Sequence, residues 1–182
     1  MSNAAYKGYV GPRYSTQSAV LDYYWRDYVG VIPPDAIPGG CDIRNTTTYI
    51  GQGLYYDYDY EDDVGLLIGS VYPGTNKIKV ACNAYVYSVK VGLKILCSRN
   101  LNCFTWTKTD RKSLHSAMIG KQLVFGGCKG DKIINIGRVA YQGEIIVGSV
   151  LGYEAENAQL CFAHEDKEIV VNSYEVLTYN KA

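Results

Sequence analysis

The sequence predicts an all-β chain built as two tandem, pseudo-twofold-related copies of one unit, packed as a β-sandwich-type domain. Three observations carry that expectation. Short β-branched and aromatic runs alternate with Gly, Pro and Asn. No segment of helical length keeps a clean 3.6-residue period; Arg111–Met118 has room for a turn or two. A set of glycine-centred motifs also recurs in the same order in the second half of the chain.

The recurring elements run as follows. A tryptophan opens each copy, Trp25 and Trp106. Gly39-Gly40-Cys41 is answered by Gly126-Gly127-Cys128, at positions where a bulge, a turn or a close backbone approach calls for glycine. Tyr49-Ile50-Gly51-Gln52 is answered by Asn135-Ile136-Gly137-Arg138, and Leu67-Ile68-Gly69-Ser70-Val71 by Ile146-Val147-Gly148-Ser149-Val150. Ser70 precedes Cys82 by twelve residues and Ser149 precedes Cys161 by the same twelve. Each copy closes on an aliphatic strand, Lys94-Ile95-Leu96 and Tyr174-Glu175-Val176-Leu177. Lys77–Val80, Tyr85–Val91, Ile133–Val139 and Gly143–Val150 alternate as half-buried strands do. These anchors divide the chain into an arm (residues 1–22), a first repeat (23–97), a linker (98–105) and a second repeat (106–179). Two such units bury their apolar faces against each other.

Composition narrows the function. In 182 residues, 18 Lys and Arg balance 18 Asp and Glu, so no net field gathers nucleic acid or an anionic surface. No apolar run is long enough to cross a bilayer, and the first twenty residues lack the apolar core of a secretory signal, so a cytoplasmic or vesicle-associated protein without membrane insertion is expected. The six cysteines lack close C-x-x-C spacing and read as packed thiols, and with two histidines a zinc site is not expected. Cys97 and Cys103 bracket the linker, where either a bridge or two thiols fits. The 18 tyrosines suit strands, where a ring packs on one side and its hydroxyl meets water or ligand on the other.

From Ile32-Pro33-Pro34-Asp35-Ala36-Ile37-Pro38-Gly39-Gly40-Cys41-Asp42, through Tyr49-Ile50-Gly51 and Gly69-Ser70-Val71, to Lys167-Glu168 and Tyr174-Glu175-Val176-Leu177, the sequence resembles the DM-nine repeat family. This family of invertebrate proteins includes oyster mannose-binding lectins. The resemblance implies a lectin-like β-sandwich, often a homodimer, that binds glycans of mannose type without a cofactor and serves innate immune recognition. It also implies the ligand groups: an Asp after the Gly-Gly-x turn and a Lys in a Pro-Gly-Lys-Val segment. A carboxylate accepts paired bonds from vicinal hydroxyls, and an ammonium donates to their oxygens. Carried over, the first site takes Asp42, with Ser70 where the family has Lys. The second takes Lys129 or Asp131, again with a serine, Ser149. The loss of both lysines leaves an alternative open: a structural or protein-interaction module whose sugar sites have decayed.

Two further segments draw attention. Between Gly51 and Ser70 the first copy carries seven more residues than the second does between Gly137 and Ser149, and the insertion holds Tyr55-Tyr56-Asp57-Tyr58-Asp59-Tyr60-Glu61-Asp62-Asp63. This reads as a solvated hairpin tip or as an acidic aromatic loop beside the first site. His164-Glu165-Asp166 resembles catalytic chemistry by composition alone, since neighbours on a strand face opposite sides. With no Gly-rich cofactor loop following a strand, no enzyme is expected.

Overall fold

A computed structural model describes residues 22–56, 64–154 and 156–180. The arm before Asp22 and the acidic stretch from residue 57 to 63 lie outside them. The first half of the chain forms β1 (Tyr23–Asp27), β2 (Pro38–Cys41), β3 (Thr47–Tyr56), β4 (Val64–Val71), β5 (Ile78–Cys82), β6 (Tyr85–Val89) and β7 (Lys94–Ser98). A 3₁₀ turn at Leu101–Cys103 leads into β8 (Phe104–Asp110), the one-turn helix α1 (Leu114–Ala117) and β9 (Gln122–Leu123). Then come β10 (Phe125–Lys129), β11 (Lys132–Tyr141), β12 (Glu144–Val150), β13 (Leu160–His164), β14 (Lys167–Val171) and β15 (Ser173–Tyr179). The chain is all-β.

The pairing scheme of the first half is found again in the second. β3 lies between β2 and β4, and β11 between β10 and β12. β7 joins β3 and carries β1, as β15 joins β11 and carries β8. The hairpin β5–β6 has its counterpart in β13–β14. The halves meet along two seams, β4 with β10 and β12 with β2, so that β2, β3, β4, β10, β11 and β12 close into a ring of six strands. One apolar cluster crosses both halves and includes Ile50, Ile68, Ile136 and Val147. A second, confined to the second half, is capped by Leu114 and Met118 at α1.

The paired glycines mark the seams. β2 and β10 each carry a register shift at the Gly-Gly step. A Cβ on Gly40 would stand 1.9 Å from the carbonyl oxygen of Ile145 on β12, and one on Gly127 1.9 Å from that of Leu66 on β4. Positive φ plays no part here; the requirement is for one backbone to lie directly against that of the other half.

The seams are also held by side chains. Ser149 Oγ accepts the Ile68 N–H at 3.0 Å, and Ser70 Oγ accepts the Val147 N–H at 3.1 Å. Gln52 Nε2 donates to the Gly126 carbonyl at 2.5 Å, and Arg138 donates to that of Gly39 at 3.4 Å. Arg138 is fixed for this by Glu175 at 2.7 Å and by the Trp106 ring, 4.3 Å beneath its guanidinium.

Strand alignment corrects one equivalence. Gly69 and Gly148 lie against the carbonyls of Lys79 and Cys161, and Gly51 and Gly137 against Ile78 and Leu160, so Cys161 corresponds to Lys79 and Cys82 to His164. The loop joining β12 to β13 is three residues longer than that joining β4 to β5, which made the matched twelve-residue spacings coincide by accident.

No disulfide joins the six cysteines. Burial pushes the Cys97 thiol up to about 11 and the Cys161 thiol up to about 12. Iodoacetamide at pH 8 is expected to modify the half-buried Cys41 and Cys128 first, and to reach Cys97 and Cys161 only after denaturation. Peptide mass mapping reads the order; equal labelling of Cys161 in the native protein would refute it.

Candidate functional site

Between the two halves lies a cleft of about 350 Å³, floored by Ser70, Ile146 and Val147 and walled by Tyr72, Thr75, Lys77, Lys79, Glu144, Ala163, His164 and Glu165. It is built from the loop after β4, the start of β12 and the tip of the β13–β14 hairpin.

Local sequence sets each wall. In Tyr72-Pro73-Gly74-Thr75 the Pro stands at the second turn position and Gly74 at the third with φ 80°, the type II arrangement. Thr75 N–H donates to the Tyr72 carbonyl at 3.2 Å, and the Tyr28 hydroxyl donates to the Thr75 carbonyl at 2.7 Å, tying the loop down. Gln142-Gly143, both at positive φ, turns β11 into β12 and brings Glu144 opposite Tyr141. Glu165 and Asp166 form a similar turn with φ 46° and 60°, which sets His164 at the end of β13. Asp166 then reaches Lys79 at 2.7 Å, and Glu168 accepts the Ala84 N–H at 2.6 Å, so the two hairpin tips lock across the cleft wall.

Glu144 and His164 face each other at 3.8 Å, each side chain only 14% exposed. The His164 ring stands edge-on to Tyr141 with centroids 5.1 Å apart. Among the described residues no donor is within hydrogen-bond range of the Glu144 carboxylate. Cys41 pairs with Ile145, which sets Asp42 beside this end of β12. The Tyr72 hydroxyl is pushed up to about 12, first by burial and then by the charges of Glu144 and Asp42. The cleft thus offers carboxylates as acceptors, an ammonium, an imidazole and hydroxyls as donors, and a half-buried tyrosine ring.

The residues singled out from sequence fare differently. Asp42 lies beside the cleft but outside its lining, half-buried, and one of its oxygens already accepts the N–H groups of Arg44 at 2.9 Å and Thr46 at 2.7 Å, which holds its carboxyl below the usual range. Ser70 lies in the cleft floor, 7% exposed, its hydroxyl holding the opposite strand. Ser149 is a correction: at 2% exposure, and with its hydroxyl spent on the Ile68 amide, it is sealed in the seam and out of reach of any ligand. Lys129 is half-buried and donates to the Asn83 side chain at 2.6 Å, while Asp131 is exposed in the turn before β11. Of these three, Ser149 is closed to a ligand, Lys129 is engaged by Asn83, and Asp131 faces solvent. Where the cleft has Glu144, Tyr72 and His164, the corresponding positions hold Gly65, Leu151 and Cys82.

Sequence reasoning passed over Glu144, His164 and Tyr72. His164 carried a signal, standing in a run of titratable residues, but Glu144 is brought to it only by the β11–β12 turn.

No family model matches the chain, and no curated protein matches it in sequence. Among solved structures it is similar to the crystal structure of the nematode sperm cell motility protein MFP2B, with a TM-score of 0.55 and 14% identity over 87% of this chain. The likeness is one of fold. This chain spans 46% of the length of MFP2B. No helix among the described residues is long and apolar enough to cross a membrane.

Proposed function

We propose that the protein is a non-enzymatic, DM-nine-type carbohydrate-binding protein whose glycan lies in the cleft between the two halves. The observation that carries this reading is Glu144: a carboxylate largely withdrawn from water, without a donor from the described residues, on the wall of an open polar cleft. Its oxygens open onto the cleft and have only water to bond there, and vicinal sugar hydroxyls can replace that water with two donors. Ser70 in the floor and the Tyr72 ring provide the further contacts that fix a pyranose, with Asp42 close enough for its charge to be felt at Tyr72. On this reading each chain has one site, drawn from both repeats, and homodimer formation adds avidity. The role in pattern recognition rests on the family resemblance.

A glycan array with wild-type protein and the Glu144→Ala variant tests this. Loss of a charge-assisted pair should weaken binding at least about tenfold. A blank array at high protein concentration sinks the carbohydrate reading, and binding indifferent to Glu144 sinks the site.

A second reading, a protein-interaction module, is favoured by a different surface. Val29, Val31 and Val91 stand on two segments joined by the bond from Tyr28 N–H to the Leu93 carbonyl, and these are 84%, 74% and 84% exposed. MFP2B is a sperm cell motility protein, a role other than sugar binding. This reading requires a blank array together with a sedimenting species whose mass falls on Val91→Glu.

A further inference from the structure

We infer that the cleft selects glycans bearing a free amine, with the ammonium seated against Glu144. The inference rests on the carbohydrate reading and narrows its ligand class. Glu144 is 14% exposed, and its nearest basic atom among the described residues, His164 Nε2, is 3.8 Å away, beyond hydrogen-bond range. A neutral hydroxyl satisfies such a carboxylate as a donor but leaves its charge unmatched, whereas an ammonium does both.

The surrounding charges favour the same ligand. Asp42 stands beside the Glu144 end of β12, and Glu165 lies on the rim. Of the two lysines in the wall, Lys79 is already engaged by Asp166 at 2.7 Å, and Lys77 is exposed on the loop side. With Lys79 taken by Asp166 and Asp42 opposed by Arg44, the carboxylates of Glu144 and Glu165 remain, among the described residues, against Lys77 alone. Uronic and sialic acids, whose carboxylates would face Glu144, are disfavoured. The arrangement belongs to this cleft alone of the two corresponding places, because Gly65 occupies the position matching Glu144.

Chitosan oligosaccharides and fully N-acetylated chitin oligosaccharides of equal length share a skeleton and differ in the amine, so calorimetric titration of the two in mildly acidic buffer, where the chitosan amines are protonated, isolates its effect. The wild-type protein should bind the amine form at least about tenfold more tightly, and Glu144→Gln should bring the two affinities together. Lys77→Gln, a change at an exposed side chain, should widen the wild-type preference. Acetylated oligosaccharide bound as tightly as the amine form, or more so, overturns the inference and leaves the carbohydrate reading standing. A preference that survives Glu144→Gln overturns the seating of the ammonium. Failure of every sugar, on the array and in the titration, removes both.

Discussion

Replacing Gly127 by Ala should cost at least about 3 kcal/mol or prevent folding altogether, an effect at the upper end of what one methyl group produces. The added Cβ would stand 1.9 Å from the Leu66 carbonyl oxygen and 2.8 Å from its carbon, and neither is the yielding end of a flexible side chain. Relief requires β10 to withdraw from β4, and only two residue pairs, Cys128 with Leu66 and Lys129 with Gly65, join those strands. Gly40→Ala should do the same at the other seam, where the Ile145 carbonyl is equally close. Gly143 provides the control: nothing lies within 4 Å of its Cβ position, and Asn tolerates its φ of 87° better than most residues. Urea midpoints for the three variants check the ordering. A Gly127→Ala protein as stable as Gly143→Asn would show that the seams are looser than described.

Ser149→Ala is the second large effect, expected to destabilise by about 1–3 kcal/mol, the cost of leaving a buried amide unpaired. Ile68 is 1% exposed, and its N–H has the Ser149 hydroxyl as acceptor at 3.0 Å. Glycan binding should survive wherever the variant remains folded, because Ser149 is sealed in the seam. Ser70→Ala removes the matching bond to Val147 but also alters the cleft floor, so it should lower both stability and affinity. Chemical denaturation paired with glycan titration separates the two serines. A stability unchanged by Ser149→Ala would mean that the Ile68 amide finds another acceptor.

All-β character was readable from sequence because alternation and turn residues act locally: Lys77–Val80 and Ile133–Val139 sit within or beside strands of the expected kind. The Gly-Gly steps were visible as unusual, but the carbonyls they accommodate, those of Ile145 and Leu66, belong to the other half and leave no mark near Gly40 or Gly127. Counting from Ser70 and Ser149 misaligned the hairpins because loop length is free to vary while strand register is not. For the cleft, Asp42 and Ser70 were found through family resemblance, and Ser149 was carried along with Ser70 although its surroundings differ. Glu144 escaped because its significance lies in what fails to reach it, which only the packed molecule reveals.

The crossed seams also bear on how the chain is made. During synthesis β2 waits for β12, so the Gly39-Gly40 edge emerges roughly a hundred residues ahead of the strand that covers it. For that interval a nascent edge strand is open to pairing with another copy.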